Sequence, residues 1–323
     1  MVPFAFGWET AAPVTKAKAD TVTRPPTQSA SDLPASIDGP LAVIGDLHGA
    51  VDLLARLLDR LRQWPSFEKR WIVFTGDFLD RGPQPKATLQ CVLALRDGHG
   101  KVTACMGNHD LALVGALGLI RTPAASNWNL RYVADHDAYN TFASYGVPIA
   151  EREFDQLVTG VHEIQPYYDP SDWQFANGEV PSELRTFRDD TLNAVEARLA
   201  QLREYMPERH KQFLAGLPWC IEHPRYLVVH AGLEPDEPFE KQLEVLRARD
   251  FNHGRPPWLH EKGLAGVVIP ADCPLVVVSG HTMVPEVWIT QGGRRILVDT
   301  FGGHGSVLSA VLLPELEVIT SDG

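Results

Sequence analysis

Gly76-Asp77-Phe78-Leu79-Asp80-Arg81-Gly82 follows the apolar run Trp71-Ile72-Val73-Phe74 and runs into Pro83. Glycines and a proline forbid the strand's continuation there. Two carboxylates and a guanidinium are left beside a strand end, where open α/β sheets keep their chemistry. Leu41-Ala42-Val43-Ile44 enters Gly45-Asp46-Leu47-His48-Gly49 in the same way, and Val102-Thr103-Ala104-Cys105-Met106 enters Gly107-Asn108-His109-Asp110. From Asp46 to Asp77 is 31 residues and from Asp77 to Asn108 is 31 again, the length of one βαβ unit. Right-handed crossovers bring the C-terminal ends of successive parallel strands to one sheet edge. Asp46, His48, Asp77, Asn108 and His109 are therefore expected to converge.

The segments between these loops read as crossover helices. Val51, Leu54, Leu58 and Leu61 recur at helical spacing with Asp52, Arg56, Asp59 and Arg60 opposite, and Pro85 to Arg96 carries a second apolar face before Asp97-Gly98-His99-Gly100. A third helix starts at or near Asn108, which puts its free N–H groups inside the expected site. From about 121 to 218 the pattern becomes aromatic-rich and helical, with segments at Tyr132 to Tyr145, Glu151 to Thr159, Glu183 to Arg203 and Pro207 to Leu217. An insertion of this size is expected to act as a cap that shapes substrate choice; its alternative is an outer packing layer. Strands resume at 219–222 and 226–229, the second ending at His230, and Leu275 to Val278 delivers Ser279-Gly280-His281. Between them lie an amphipathic helix from Pro238 to about Asp250 and a Gly/Pro loop around Arg255. Short strands at 287–290, 295–298, 307–313 and 316–319 read as an antiparallel run. The expected fold class is α/β, with two sheets, the first parallel and the second more mixed, flanked by helices.

The 323 residues carry 29 basic and 41 acidic side chains, a net charge of −12. That balance disfavours nucleic acid backbones and anionic membranes as partners. Cys91, Cys105, Cys220 and Cys273 are dispersed, so neither a zinc knuckle nor a disulfide framework is indicated and a reducing, cytoplasmic setting is expected. No apolar stretch approaches membrane-spanning length. Residues 1–39 are rich in Pro, Thr, Ser and Ala without periodicity; they are expected to be a disordered tail ahead of a catalytic domain at 40–323.

Five times an apolar strand stops at a residue able to hold a metal: Asp46/His48, Asp77/Asp80, Asn108/His109, His230 and His281. One strand-end histidine is more often structural than a ligand, but five such ends together favour a metal site. Oxygen and imidazole donors without thiolate suit Mn, Fe or Zn in a reactive rather than a structural role.

The motifs GDxHG, GDxxDRG, GNHD, HAG and GH, in that order over residues 41 to 313, resemble those of the calcineurin-like metallophosphoesterases, and the DRG resembles the phosphoprotein phosphatase branch. The resemblance implies a central β-sandwich of two mixed sheets flanked by helices, with a helical cap insertion, and two metal ions. Asp46, His48 and Asp77 would hold one, and Asp77, Asn108, His230 and His281 the other, with Asp77 bridging. Two cations about 3.5–4 Å apart clamp a phosphoryl group and make hydroxide available for in-line attack. His109 would protonate the leaving oxygen, Asp80 would orient its imidazole, and Arg81 would receive phosphate oxygens through its planar fork of donors. Asn108 would share in phosphate binding. A second phosphate-binding arginine is expected between His230 and His281, with Arg247 first, then Arg255, and Arg249 also a candidate. His304, in Gly302-Gly303-His304-Gly305, either overhangs the site or belongs to a loop.

GNHD and HAGL stand where the common eukaryotic Ser/Thr enzymes have GNHE and HGGL. The segments 107–120, 140–147, 229–250 and 276–281 look most like the Rhizobiales-like phosphatases, a group that favours phosphotyrosine. The resemblance therefore implies a phosphoprotein or phosphopeptide substrate, with Phe142 and Tyr145 as candidate walls for a phenyl ring. The alternatives are a dinucleoside-polyphosphate hydrolase, whose relatives share GNHD, and a non-enzymatic scaffold.

Overall fold

The computed structural model describes residues 33–122, 127–165, 182–249, 259, 268–290 and 292–322. Strand β1 (Leu41–Ile44), β2 (Trp71–Phe74) and β3 (Val102–Ala104) are parallel neighbours. They are linked by α1 (Val51–Arg62) and α2 (Pro85–His99), and β3 feeds α3 (Asn108–Ala116). Helix α1 buries Leu54, Leu57, Leu58 and Leu61 on one face, each worth about 1.5–3 kcal/mol of transfer free energy. Pro85 opens α2 at its first turn, where no amide partner is needed, and Gly100 ends it in the left-handed conformation.

The first sheet is completed by β9 (Ser309–Leu313) and β10 (Glu317–Thr320) in the order β10-β9-β1-β2-β3, with β9 antiparallel to β1. The second sheet runs β4 (Cys220–Glu222), β5 (Tyr226–Val229), β6 (Val276–Ser279), β8 (Arg295–Leu297), β7 (Trp288–Ile289). Both sheets are thus mixed, as the resemblance to the metallophosphoesterases implies; the strand pattern alone reads the first as parallel, because β9 and β10 come from far along the chain. The expected C-terminal antiparallel run is divided: β7 and β8 pair in the second sheet, whereas β9 and β10 close the first.

Alternation along the strands explains the layering. Leu41, Val43, Val73, Val311 and Leu313 on one sheet share a buried cluster with Ile221, Val228, Val278 and Ile296 on the other, which is the interior of the sandwich. The intervening residues Ala42, Ile44, Ile72, Phe74, Ala310 and Leu312 pack in a second cluster with the helices, as a period of two requires. Arg70, 2% exposed, locks the sheet margin by donating to Leu41 O and Leu313 O and to both carboxylate oxygens of Glu315.

The insertion holds α4 (Trp128–Asp135), α5 (Tyr139–Tyr145), α6 (Glu151–Ile164), α7 (Ser182–Tyr205) and α8 (Glu208–Gly216), and α9 (Phe239–Ala248) follows β5. Phe142 is fully buried, stacked on Tyr132 and tilted against Phe154, while the Tyr145 hydroxyl meets His210 Nδ1 at 2.7 Å. These two aromatics form interior packing, not the exposed wall expected of them. The expected tail boundary also moves. Residues 1–32 lie outside the described residues, but Leu33 and Ile37 are buried, Ile37 N–H donates to Glu222 O, and Glu222 N–H donates to Ala35 O. Two apolar side chains and a strand-like bridge at Ser36 make 33–39 part of the fold.

Candidate metal centre

Five strand ends deliver the side chains, and the turns that carry them are strained. His48, Asp77, Asp80, Arg81 and His281 all have positive φ, from 37° to 66°, a conformation costing non-glycine residues about 1–2 kcal/mol. Strain of this kind persists where the surroundings over-determine it. Here they do: the N–H groups of Leu47 and His48 both donate to Asp77 O. Asp110, buried at the third position of α3, accepts from Gly107 N–H, Asp77 N–H and Phe78 N–H. Asp110 therefore caps α3 and clamps the Asp77 loop together. A Cβ at Gly107 would overlap the Asp77 carboxylate, and one at Gly280 the Asp46 carboxylate, so both positions are reserved for close approach.

Asp77 is the centre. Its Oδ2 lies 3.5 Å from His48 Nε2 and 3.4 Å from His230 Nε2, and its Oδ1 accepts from His109 N–H at 2.9 Å. His48 Nδ1 donates to Leu79 O and His230 Nδ1 donates to Thr75 O, both at 2.8 Å, so each ring presents Nε2 inward. His281 Nδ1 is 3.2 Å from His230 Nε2, and Asn108 Oδ1 is 3.0 Å from the same atom. Asp46 accepts from Thr75 Oγ1 and from His281 N–H. Among the described residues, two groups of donors stand close enough to hold a cation: His48, Asp77 and His109, and Asp77, His230 and His281. Asp77 belongs to both.

Burial and the mutual attraction of carboxylates and imidazoles set the electrostatics of the pocket. Burial pushes Asp46 well up, aided by Asp299. Burial also works against the His230 imidazolium, yet Asp77 and Asp46 hold it up at about 10. Asp77 stays well below the usual range despite burial, because His230 and His109 favour its charge. Burial lowers His48 to about 4. Carboxylates and imidazole nitrogens, buried except for the half-buried His281, are the donor set of an oxygen- and nitrogen-coordinated metal. The residues fit one.

Beside this centre, His109 Nδ1 donates to Asp80 Oδ2 at 2.8 Å. Asp80 is fully buried, and its Oδ1 accepts from Tyr132 OH at 2.7 Å and Thr141 Oγ1 at 2.6 Å. Burial raises Asp80, opposed by those two hydroxyls, and lowers His109. Arg81 Nη1 donates to His48 Nε2 at 3.1 Å and to Gly302 O at 2.6 Å.

The structure thus brings together Asp46, His48, Asp77, Asp80, Arg81, Asn108, His109, His230 and His281. It does not bring Arg247. That side chain is half-exposed and gripped bidentately by Glu222, whose register opposite Leu227 sets it towards the start of β5, away from His230. Arg249 donates to Ala215 O, and Arg255 lies outside the described residues. Tyr132, Thr141 and Asp110 were not read as site residues. An acid at the third position of a helix starting at Asn108 is a capping signal and pointed to Asp110. Nothing local marks the two hydroxyls.

The family model for calcineurin-like phosphoesterases matches residues 39–304. The chain belongs to this family. The phosphoesterase is 28% identical over 187 residues to a symmetrical bis(5'-nucleosyl)-tetraphosphatase of Actinobacillus succinogenes, covering 57% of this chain and 62% of that one. It is 43% identical over 70 residues to the same-named protein of Azotobacter vinelandii, covering 22% and 24%. The matches span less than two thirds of these relatives' lengths. A solved cold-active protein tyrosine phosphatase superposes with a TM-score of 0.52 at 18% identity, over 89% of this chain and 78% of that one, a likeness of fold. None of the described helices is long and apolar enough to cross a membrane.

Proposed function

We propose that this phosphoesterase is a two-metal hydrolase of phosphate monoesters on proteins. The observation that carries hydrolysis is the His109 imidazole, held by a buried carboxylate at 2.8 Å next to donors that share Asp77. Asp46, His48 and Asp77 would hold one cation and Asp77, Asn108, His230 and His281 the other. Such cations, when bound, would supply Lewis acidity to the phosphoryl oxygens and lower the pKa of water held there. Asp80 keeps the proton on His109 Nδ1, so His109 delivers a second proton from Nε2 to the leaving oxygen. The imidazolium this needs is opposed by burial and favoured by Asp77 and an incoming phosphate dianion. Arg81 offers its remaining N–H donors to the non-bridging oxygens, and Asn108 stands beside them.

Phosphoprotein as substrate rests on the likeness of the DRG to the phosphoprotein phosphatases, and phosphotyrosine ahead of phosphoserine on the likeness of segments 107–120, 140–147, 229–250 and 276–281 to the Rhizobiales-like phosphatases. A second reading, hydrolysis of dinucleoside tetraphosphates, is favoured by the name of the curated relatives. Matched phosphotyrosyl and phosphoseryl peptides and diadenosine tetraphosphate, each assayed with Mn, Fe and Zn, separate the two. The first reading expects kcat/KM at least about tenfold higher for phosphotyrosyl peptide than for either other substrate, a difference of about 1.4 kcal/mol. Faster turnover of the dinucleotide would replace it with the second.

A further inference from the structure

Arg81 is held from two sides. Its backbone, at φ 58°, donates N–H to Asp137 O and accepts from Asn140 Nδ2 at 2.7 Å. Its guanidinium donates to Gly302 O, in the loop between β8 and β9. Asp299 shapes that loop. Its carboxylate, 1% exposed, accepts through Oδ1 from Phe301 N–H at 3.1 Å and Gly302 N–H at 2.7 Å. Gly303, at φ 85°, lies so close to Arg81 that a Cβ there would overlap Arg81 Cδ. On the other side, a Cβ at Gly302 would press on Met283 at about 3.0 Å. The turn packs between Met283 and Arg81, with Gly303 directly against the arginine side chain.

We propose that Asp299 is a positioning residue for Arg81: by fixing the N–H groups of Phe301 and Gly302 it aims the Gly302 carbonyl at the guanidinium, and so presets the arginine for the substrate's phosphate. The inference rests on the phosphate-binding role given to Arg81 above. Two features separate it from a general charge role for Asp299, whose carboxylate also raises Asp46. Positioning needs only the Oδ1 acceptor, which asparagine keeps. It also acts through Arg81, so its effect disappears when Arg81 is gone.

The test is calorimetric titration of inorganic phosphate into metal-loaded full-length protein, with metal content measured on the same samples. Arg81→Ala and Asp299→Ala are each expected to weaken phosphate binding about tenfold, about 1.4 kcal/mol. The double variant is expected to bind no more weakly than Arg81→Ala alone. Asp299→Asn should bind as the parent does, and two metals should remain in every variant. Should Asp299→Ala fail to fold, Gly303→Ala serves instead, with the same loss expected at unchanged metal content. Additive losses in the double variant overturn the inference. So does normal binding by Asp299→Ala or Gly303→Ala when Arg81→Ala binds weakly, and so does loss of metal from Asp299→Asn. Normal phosphate binding by Arg81→Ala overturns the role given to Arg81, and the inference with it.

Discussion

Asp80 Oδ2 receives the Nδ1 proton of His109 at 2.8 Å, across the loops that follow β2 and β3, with both side chains buried. A carboxylate so placed fixes the tautomer and the ring plane of the imidazole and leaves Nε2 for chemistry. The remaining acceptor of Asp80 is filled by Tyr132 and Thr141, so the pair has one arrangement.

Loss of a proton donor matters most where the leaving group is poor. His109→Ala is expected to slow hydrolysis of alkyl phosphates about 100- to 10,000-fold and of p-nitrophenyl phosphate much less, with metal content unchanged. Leaving-group plots of kcat for parent and variant check this. Equal slopes would remove His109 from the proton-transfer role.

Asp77 Oδ2 stands between His48 Nε2 and His230 Nε2. The bridging role proposed for Asp77 has one carboxylate serve two cations, and an amide in its place would weaken both. Asp77→Asn is expected to hold fewer than two metals per chain by mass spectrometry and to lose more than about 100-fold in kcat. Two tightly held metals with normal turnover would refute bridging.

Tyr132→Phe removes one donor from a buried carboxylate, which costs about 1.5–3 kcal/mol where the acceptor is charged. Denaturant melts should show that loss. Turnover of alkyl phosphates should fall with it, because Asp80 then holds His109 less firmly. A variant with parental stability and turnover would make the hydroxyl dispensable.

His210 gives the acid limb of stability a cause outside the metal centre. Burial first, then Lys86 and Arg209, lowers its imidazolium to about 4 from the ordinary 6.5. Between these values the unfolded chain binds a proton that the folded one refuses, so stability falls as pH drops from 6.5 towards 4. The contribution is fully present above 6.5. His210→Gln is expected to flatten this limb in urea melts at stepped pH, with metal content held constant. An unchanged slope would assign the limb to other groups.

How much of this was legible in the chain follows from the range of the forces involved. The 31-residue repeat of strand, loop and helix, the starts of α1, α2 and α3 and the strand ends at Asp46, Asp77, Asn108, His230 and His281 are set by local periodicity and by turn residues, whereas α2 runs on through Asp97 and Gly98 to His99, past the end expected at Arg96. Right-handed crossovers then leave little freedom in where the first three loops go. The rest depended on side chains distant in sequence. β9 is buried at all five positions, and a continuous apolar run does not reveal its partner; only the need to cover β1 on its open edge seats it in the first sheet. Phe142 and Tyr145 are as apolar in a packed interior as in a substrate wall, and the helices of the insertion decided for the interior. Arg247 was free to face phosphate until tertiary folding brought Glu222 opposite it, and Tyr132 and Thr141 became part of the site only because α4 and α5 close over Asp80. Local patterning determined which residues could do the chemistry; packing over long sequence distances decided which partners hold them in place.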